Sequence, residues 1–272
     1  MKRLLIASAM LMTIPSLAQV KEGKIVYERI MQLQIRINDD NPAFQNMIPK
    51  ERKDKFELFF TEGKSLWQGV EDDGQNDETS FGDSGGGMRM VIRMPGNDDI
   101  AFHNITESKK IDQRELGGKS YIIADSIKKM SWKVGLVIKD TKVILGHICM
   151  KATTQRIQES FRMSMDNGEA KREKVMDTMN IVAWFTYEIP GSFGPDTYQG
   201  QLPGTILEID INNGRNSFKA IEISPKVDVA KIKEPSKGKK VTAEEFAKER
   251  EKLMQEMMQN NGGPGMRVNI RN

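Results

Sequence analysis

The chain has 272 residues, 41 Lys and Arg against 38 Asp and Glu, two His and one Cys. So even a charge balance argues against a nucleic-acid footprint or strong attraction to anionic lipid. The lone Cys149 excludes an internal disulfide, and the length suffices to bury a core without such staples.

Met1 to Ala18 reads as a secretory signal. Lys2 and Arg3 supply a positive n-region, LLIASAMLMTI a short apolar core, and Ser16-Leu17-Ala18 a small-x-small cleavage site. The mature chain is expected to begin at Gln19 and to be periplasmic or otherwise exported. No cysteine follows the cleavage site to carry a lipid. No later apolar run approaches the roughly 20 residues needed to span a bilayer, so a soluble product is expected.

From Gly23 the dominant period is two. In GKIVYERIMQLQIRI the residues Ile25, Tyr27, Met31, Leu33, Ile35 and Ile37 are apolar, with Lys24, Glu28, Gln32, Gln34 and Arg36 between them. That is the pattern of a long strand with one buried face. NPAFQNMIPKERK has room for one helical turn. KFELFF and KSLWQGV then read as a hairpin about Glu62-Gly63. The short segments MRMVIRM, DIAFHNI, KKIDQREL, KSYIIAD and SWKVG follow with turn residues between them, an antiparallel meander rather than βαβ units.

HICMKATTQRIQESFRMSM and EAKREKVMDTMNIVAWFTYEI flank Asp166-Asn167-Gly168-Glu169. Asn-Gly between strand-like segments signals a type I′ hairpin. With Asn167 and Gly168 as the turn pair, Arg162 faces Glu173, Ala152 faces Ala183 and Cys149 faces Thr186. A pair of helices over 155–180 competes, since both arms carry tolerable helix formers.

After the basic linker EPSKGKK the period changes to nearly four. Thr242 and Glu245 stand in capping-box spacing, and Val241 with Phe246 in the spacing of a hydrophobic staple, so a helix is expected from Ala243. Phe246, Leu253 and Met257 make a thin stripe, which predicts a peripheral helix. The expected organisation is a signal over 1–18, an antiparallel β domain over 19–230, and a linker, helix and tail over 231–272.

Most chemical signals fail on context. Gly82-Asp83-Ser84-Gly85-Gly86 spells the string around a trypsin-like nucleophile. The histidine of that arrangement precedes the serine, whereas His103 and His147 both follow it. Asp72, Asp73, Asp77 and Glu78 lack the spacing of an EF-hand loop. His147 and Cys149, two apart on a predicted strand, leave one face and could share a soft metal. Met163, Met165, Met254, Met257 and Met258 offer thioethers to Cu(I). The bland alternative is a buried strand cysteine and gap-filling methionines.

HICMKATTQ and IVAWFTYEIPGSFGPDTYQGQLPGTILEID carry the most specific pattern. They comprise Cys149, Lys151 and Ala152; Ala183, Trp184 and Thr186; Ile189 and Pro190; Gly194 and Pro195; Tyr198; then Leu202, Pro203, Gly204 and Ile206. This resembles the signature of the GLPGLI family, exported proteins of Bacteroidetes-type bacteria with no established biochemical activity. Gln201 stands for the first Gly of the naming hexapeptide and Thr205 for its second Leu. The resemblance extends upstream through KMSWKVGLVIKDTKVILGHIC and loosely to GKIVYERI.

Pro190 and Pro195 cannot donate to a ladder, so the chain must leave the sheet between Ile189 and Gly204. Gly194, Gly200 and Gly204 would supply positive φ for its return. Tyr198 and Leu202 would pin the loop down. Architecture and function are both possible causes of such a fixed turn. The expected fold is mainly β, a curved antiparallel sheet or open half-barrel with a C-terminal helix. The expected role is a non-enzymatic, exported binding or accessory protein of the cell envelope with no cofactor; the resemblance implies a periplasmic partner of a TonB-dependent outer-membrane transporter, with another envelope protein as the other candidate partner. Ligand- or partner-binding residues would be Tyr198, Gln201, Leu202, Pro203, Gly204 and Trp184. The alternative is a periplasmic copper-binding protein using His147, Cys149 and methionines.

Overall fold

A computed structural model describes residues 21–33, 50–70, 78–81, 90–93, 99–135, 140–166 and 169–260. The secretory signal, the Gly82–Gly86 string, Asp72, Asp73, Asp77 and the helical turn expected after Asn41 lie outside the described residues, apart from the last few positions of that turn, which belong to a strand.

The strands are β1 (Gly23–Gln32), β2 (Glu51–Thr61), β3 (Lys64–Gly69), β4 (Glu78–Phe81), β5 (Met90–Arg93), β6 (Ile100–Asn104), β7 (Lys109–Leu116) and β8 (Lys119–Ser126). They continue as β9 (Lys133–Val134), β10 (Thr141–Ile144), β11 (His147–Asp166), β12 (Glu169–Thr186), β13 (Thr205–Ile211), β14 (Asn216–Ser224) and β15 (Lys239–Val241). One helix, α1 (Ala243–Asn260), closes the described chain. Thirteen strands form a single open sheet in the order β10-β11-β12-β13-β14-β1-β2-β3-β6-β7-β8-β15, with β9 also on β11. β4 and β5 pair with each other as a separate ribbon. The fold is thus mainly β with a large unclosed sheet and one C-terminal helix.

The two-residue period of β1 works as read: Ile25, Tyr27 and Met31 are buried while Lys24 and Glu28 are only half-covered. Tyr27 donates its hydroxyl to the Ile206 carbonyl at 2.7 Å, which satisfies a phenol buried in the core. Around it Phe56 stacks on Trp67 with centroids 5.0 Å apart, and Phe218 meets Trp67 edge-on at 5.8 Å. A smaller cluster of Phe59, Leu66, Phe102 and Ile232 covers the other side of β2, β3 and β6.

The Asn167-Gly168 signal holds along both arms. Arg162 opposes Glu173 and Ala152 opposes Ala183, in a ladder from Met150–Phe185 to Asp166–Glu169. The competing helix pair does not form, because the strands' inner halves are locked to β10, β9 and β13. At the other end Thr242 Oγ1 accepts from the Glu245 amide at 3.1 Å and Glu245 accepts from the Thr242 amide at 2.8 Å, the expected capping box. Phe246 packs edge-on against Tyr121, with centroids 5.4 Å apart, and most of α1 stays exposed.

The basic linker departs from expectation. Its last residues form β15, which runs parallel to β8 with Lys239 opposite Tyr121. All other strand pairs are antiparallel. Of SWKVG, only Lys133 and Val134 pair as a strand.

Candidate functional site

β12 ends at Thr186 and β13 begins at Thr205, so the motif-bearing segment crosses between neighbouring strands. Its apolar residues turn inward: Ile189, Phe193, Tyr198 and Leu202 are all buried, and Phe193 meets Phe60 of β2 with ring centroids 4.8 Å apart. Its backbone groups are satisfied locally. The Ile206 amide donates to the Phe193 carbonyl at 2.9 Å, and the Tyr198 amide donates to Pro195 at 3.0 Å. Thr205 Oγ1 lies within reach of the carbonyls of Ile189 and Gly191, at 3.1 and 3.2 Å.

The glycines serve two different ends. Gly200 has φ +75°, as a sharp return requires. Gly194 and Gly204 are not in the left-handed region. A Cβ at Gly204 would lie 2.3 Å from the Thr186 carbonyl oxygen, so that glycine permits close backbone approach rather than a positive φ. The expectation of positive φ at Gly194 and Gly204 is corrected on that ground.

Among the expected binding residues, Tyr198 and Leu202 are buried, Gly204 is buried against β12, and Pro203 is exposed. Burial pushes the Tyr198 hydroxyl up to about 12. Gln201, the first departure from the hexapeptide, acts as a staple. Its Oε1 accepts from the Met130 amide at 2.9 Å and its Nε2 donates to the Lys128 carbonyl at 3.0 Å. Trp184 is half-covered and stands apart from the crossover. Lys142 Nζ lies 4.5 Å above its ring and bonds Glu208 at 2.5 Å.

Beneath the crossover lies a polar layer that sequence reasoning missed. Ser65 on β3 and His103 on β6 are direct cross-strand partners, both buried, and Asp112 lies on the next strand. The Ser65 hydroxyl donates to Gln199 Oε1, away from the imidazole. Burial holds His103 down at about 4, with Asp112 opposing that shift and Lys110 and Arg114 adding to it. Arg114 bonds Asp99 and approaches Asp112 at 3.7 Å. Burial raises the Asp99 carboxyl above its usual range despite that guanidinium. Single polar residues on alternating strands gave no motif to find. The arrangement ties the crossover to β3 through hydrogen bonding and keeps an uncharged imidazole in the core at neutral pH.

The His147 ring and the Cys149 thiol have different partners. His147 Nδ1 lies 2.8 Å from Glu188 Oε2, and the Cys149 thiol faces the His147 carbonyl at 3.6 Å. Burial pushes that thiol up to about 11, so it stays protonated at neutral pH. Among the described residues no three His, Cys, Asp or Glu side chains gather where they could hold one metal ion.

The same hairpins also carry an outward apolar row. Val143 on β10 opposes Ile148 on β11, and Tyr187 follows the end of β12. With Leu145 in the turn, these residues are 68, 59, 57 and 47% exposed, taken as Val143, Ile148, Tyr187 and Leu145. The legible signal was TKVILGHI, whose apolar residues crowd a two-residue turn.

A solved structure of PNGF-II superposes with a TM-score of 0.47 at 14% identity, covering 84% of this chain and 32% of that one. The chain therefore spans about a third of that protein's length. No curated protein matches. Residues 132–208, from the segment before β9 through the crossover into β13, match the model of a family described as a protein of unknown function, Porph_ging.

Proposed function

We propose that this is an exported, non-enzymatic binding or accessory protein of the bacterial cell envelope, of the GLPGLI kind, working beside a TonB-dependent outer-membrane transporter. The secretory pattern of Met1 to Ala18 and the resemblance over Cys149 to Ile206 support the reading. One observation carries it furthest. The region matched by the family model buries Ile189, Gly194, Pro195, Tyr198, Leu202 and Gly204 in the crossover and turns Val143, Leu145, Ile148 and Tyr187 to solvent. A group of exposed apolar side chains of this size is often a functional surface on a monomer.

Affinity capture from envelope extract, read by mass spectrometry, should enrich an outer-membrane transporter. Metal analysis of the same purified sample should show no stoichiometric copper or zinc. Intact mass should correspond to a chain beginning at Gln19. A mature protein that keeps Lys2 and Arg3, or capture that enriches only cytoplasmic proteins, would sink the envelope reading.

A further inference from the structure

At the end of β13 away from the crossover, the β13–β14 turn, the last residue of β1 and the residue before β2 surround a hollow of about 470 Å³. Gln32, Leu33, Lys50, Asn212, Asn213 and Arg215 line it. Backbone pairing sets them side by side. The Gln32 amide donates to the Arg215 carbonyl and the Leu33 amide to the Lys50 carbonyl, each at 2.9 Å. The turn is built from left-handed residues: Asn212, Asn213 and Gly214 have φ +58°, +57° and +83°, a conformation that asparagine and glycine tolerate best.

Charge distinguishes this hollow. Its described lining holds two cations and no acid. Other basic side chains on β1 and β2 find carboxylates, Lys24 with Glu57, Arg29 and Arg52 with Asp54, and Lys53 with Glu51. Lys50 and Arg215 have no such partner among the described residues. Asp210, the acid nearest the turn, accepts from the Gly214 amide at 2.9 Å and is held there. Glu51, next to Lys50 in sequence, follows the strand alternation to the opposite face, where it meets Lys53. Two like charges around one hollow repel each other, and an anion between them turns that repulsion into attraction.

Charge number and size narrow the ligand. Two cations match a dianion. A phosphate monoester carries nearly two negative charges at neutral pH and has oxygens for both an ammonium and a guanidinium. The volume lies in the range that holds a small organic ligand, roughly 300–1,000 Å³, and exceeds what a bare phosphate needs. Three amide side chains, each able to donate and to accept, suit hydroxyl groups rather than hydrocarbon.

We propose that this hollow binds a small phosphorylated polyol of the sugar-phosphate class, with the phosphate between Lys50 and Arg215 and the hydroxyls against Gln32, Asn212 and Asn213. The site stands apart from the accessory reading and does not depend on it.

The test is isothermal titration calorimetry on the full chain, with glucose 6-phosphate as the probe. Binding should saturate at one per chain and weaken severalfold as sodium chloride rises from about 20 to about 200 mM, because exposed charges are screened. Glucose should give no measurable binding, and inorganic phosphate should bind about threefold more weakly or less, for want of the hydroxyl contacts. Lys50→Gln and Arg215→Gln should each weaken binding about two- to fivefold, and the double variant about tenfold or more, at an unchanged melting temperature. Lys53→Gln, on the other face of β2, should leave binding unchanged. Glucose binding as well as its phosphate, equal binding of inorganic phosphate, or indifference to the double variant would overturn the proposal. No saturable binding would overturn it too; if Asp39→Asn with Asp40→Asn then restored binding, the chain's own acids would be the occupant. Flotation with phosphatidic acid vesicles that Arg215→Gln abolishes, without binding of the soluble probe, would overturn it in favour of a lipid surface.

Discussion

The crossover over 187–204 and the β10–β11 turn lie in the same matched region, and both mix turn residues with large apolar ones. Their side chains go opposite ways. In the crossover Ile189, Phe193, Tyr198 and Leu202 are buried, whereas at the turn Val143, Leu145 and Ile148 are exposed. The difference follows from how each segment's polar groups are satisfied. Ser65, Gln201 and Thr205 supply side-chain bonds that let the crossover leave the sheet and still be buried. At the other turn β10 pairs with β11 from Thr141–Met150 to Ile144–His147, and the apolar side chains around it stay part-exposed. One region is packed against the sheet, and the other lies at its rim.

The largest effect should come from the held region. Tyr198→Ala removes a buried ring from beneath the crossover and should cost about 3–5 kcal/mol in urea unfolding. A loss below ~1 kcal/mol would mean that the crossover is not a clasp, and the contrast between the regions would collapse.

Acid should act on the same side of the molecule. His103 takes up its proton near 6.5 when unfolded and near 4 when folded, because burial, with Lys110 and Arg114 nearby, disfavours its charge against the pull of Asp112. Between those values the unfolded chain binds more protons. Stability is therefore full above about pH 6.5 and falls as pH drops towards 4, by on the order of 3 kcal/mol at the lower end. Urea titrations at pH 7 and pH 4.5 would measure it, and His103→Gln should flatten the part of the slope due to this residue. An unchanged slope in that variant would show that the imidazole does not carry the acid sensitivity.

Gly204→Ala should cost about 1–3 kcal/mol, since its Cβ would meet the Thr186 carbonyl oxygen at 2.3 Å and backbone must move. Gly118→Ala is the control: it has φ +74° but open space around it, and should lose only the smaller cost of a positive φ. If the two variants unfold alike, close approach is not what fixes the crossover.

What was legible in the sequence was what local chemistry alone determines. The Asn167-Gly168 signal gave a long register because a two-residue turn expected there leaves one way to pair the arms, and Thr242 with Glu245 gave the start of α1. The alternation through Ile25 and Tyr27 gave the buried face of β1. β15 was not legible, since three residues carry no period and parallel pairing with β8 depends on chain far upstream. Gly204 was misread because a glycine for close approach and a glycine for positive φ are the same letter. The layer of Ser65, His103 and Gln199 was hidden because its partners are far apart in sequence, and only the fold makes them neighbours.

The smallest effect should be the sharpest, because its sign separates the two regions. Leu145 sits at φ +50°, where the Cβ of a branched residue is strained by roughly 1 kcal/mol and Asn is tolerated. Leu145→Asn relieves that strain and gives the turn its preferred residue, at the loss of whatever the half-covered side chain buries. The two nearly offset, so thermal or urea unfolding should show a change between zero and a gain of about 1 kcal/mol. A stability loss above ~1 kcal/mol would place Leu145 with Tyr198 as a residue that holds the fold together. A neutral or stabilising change would mean that the chain carries a strained leucine at this turn that the fold does not need, unlike the buried residues of the crossover.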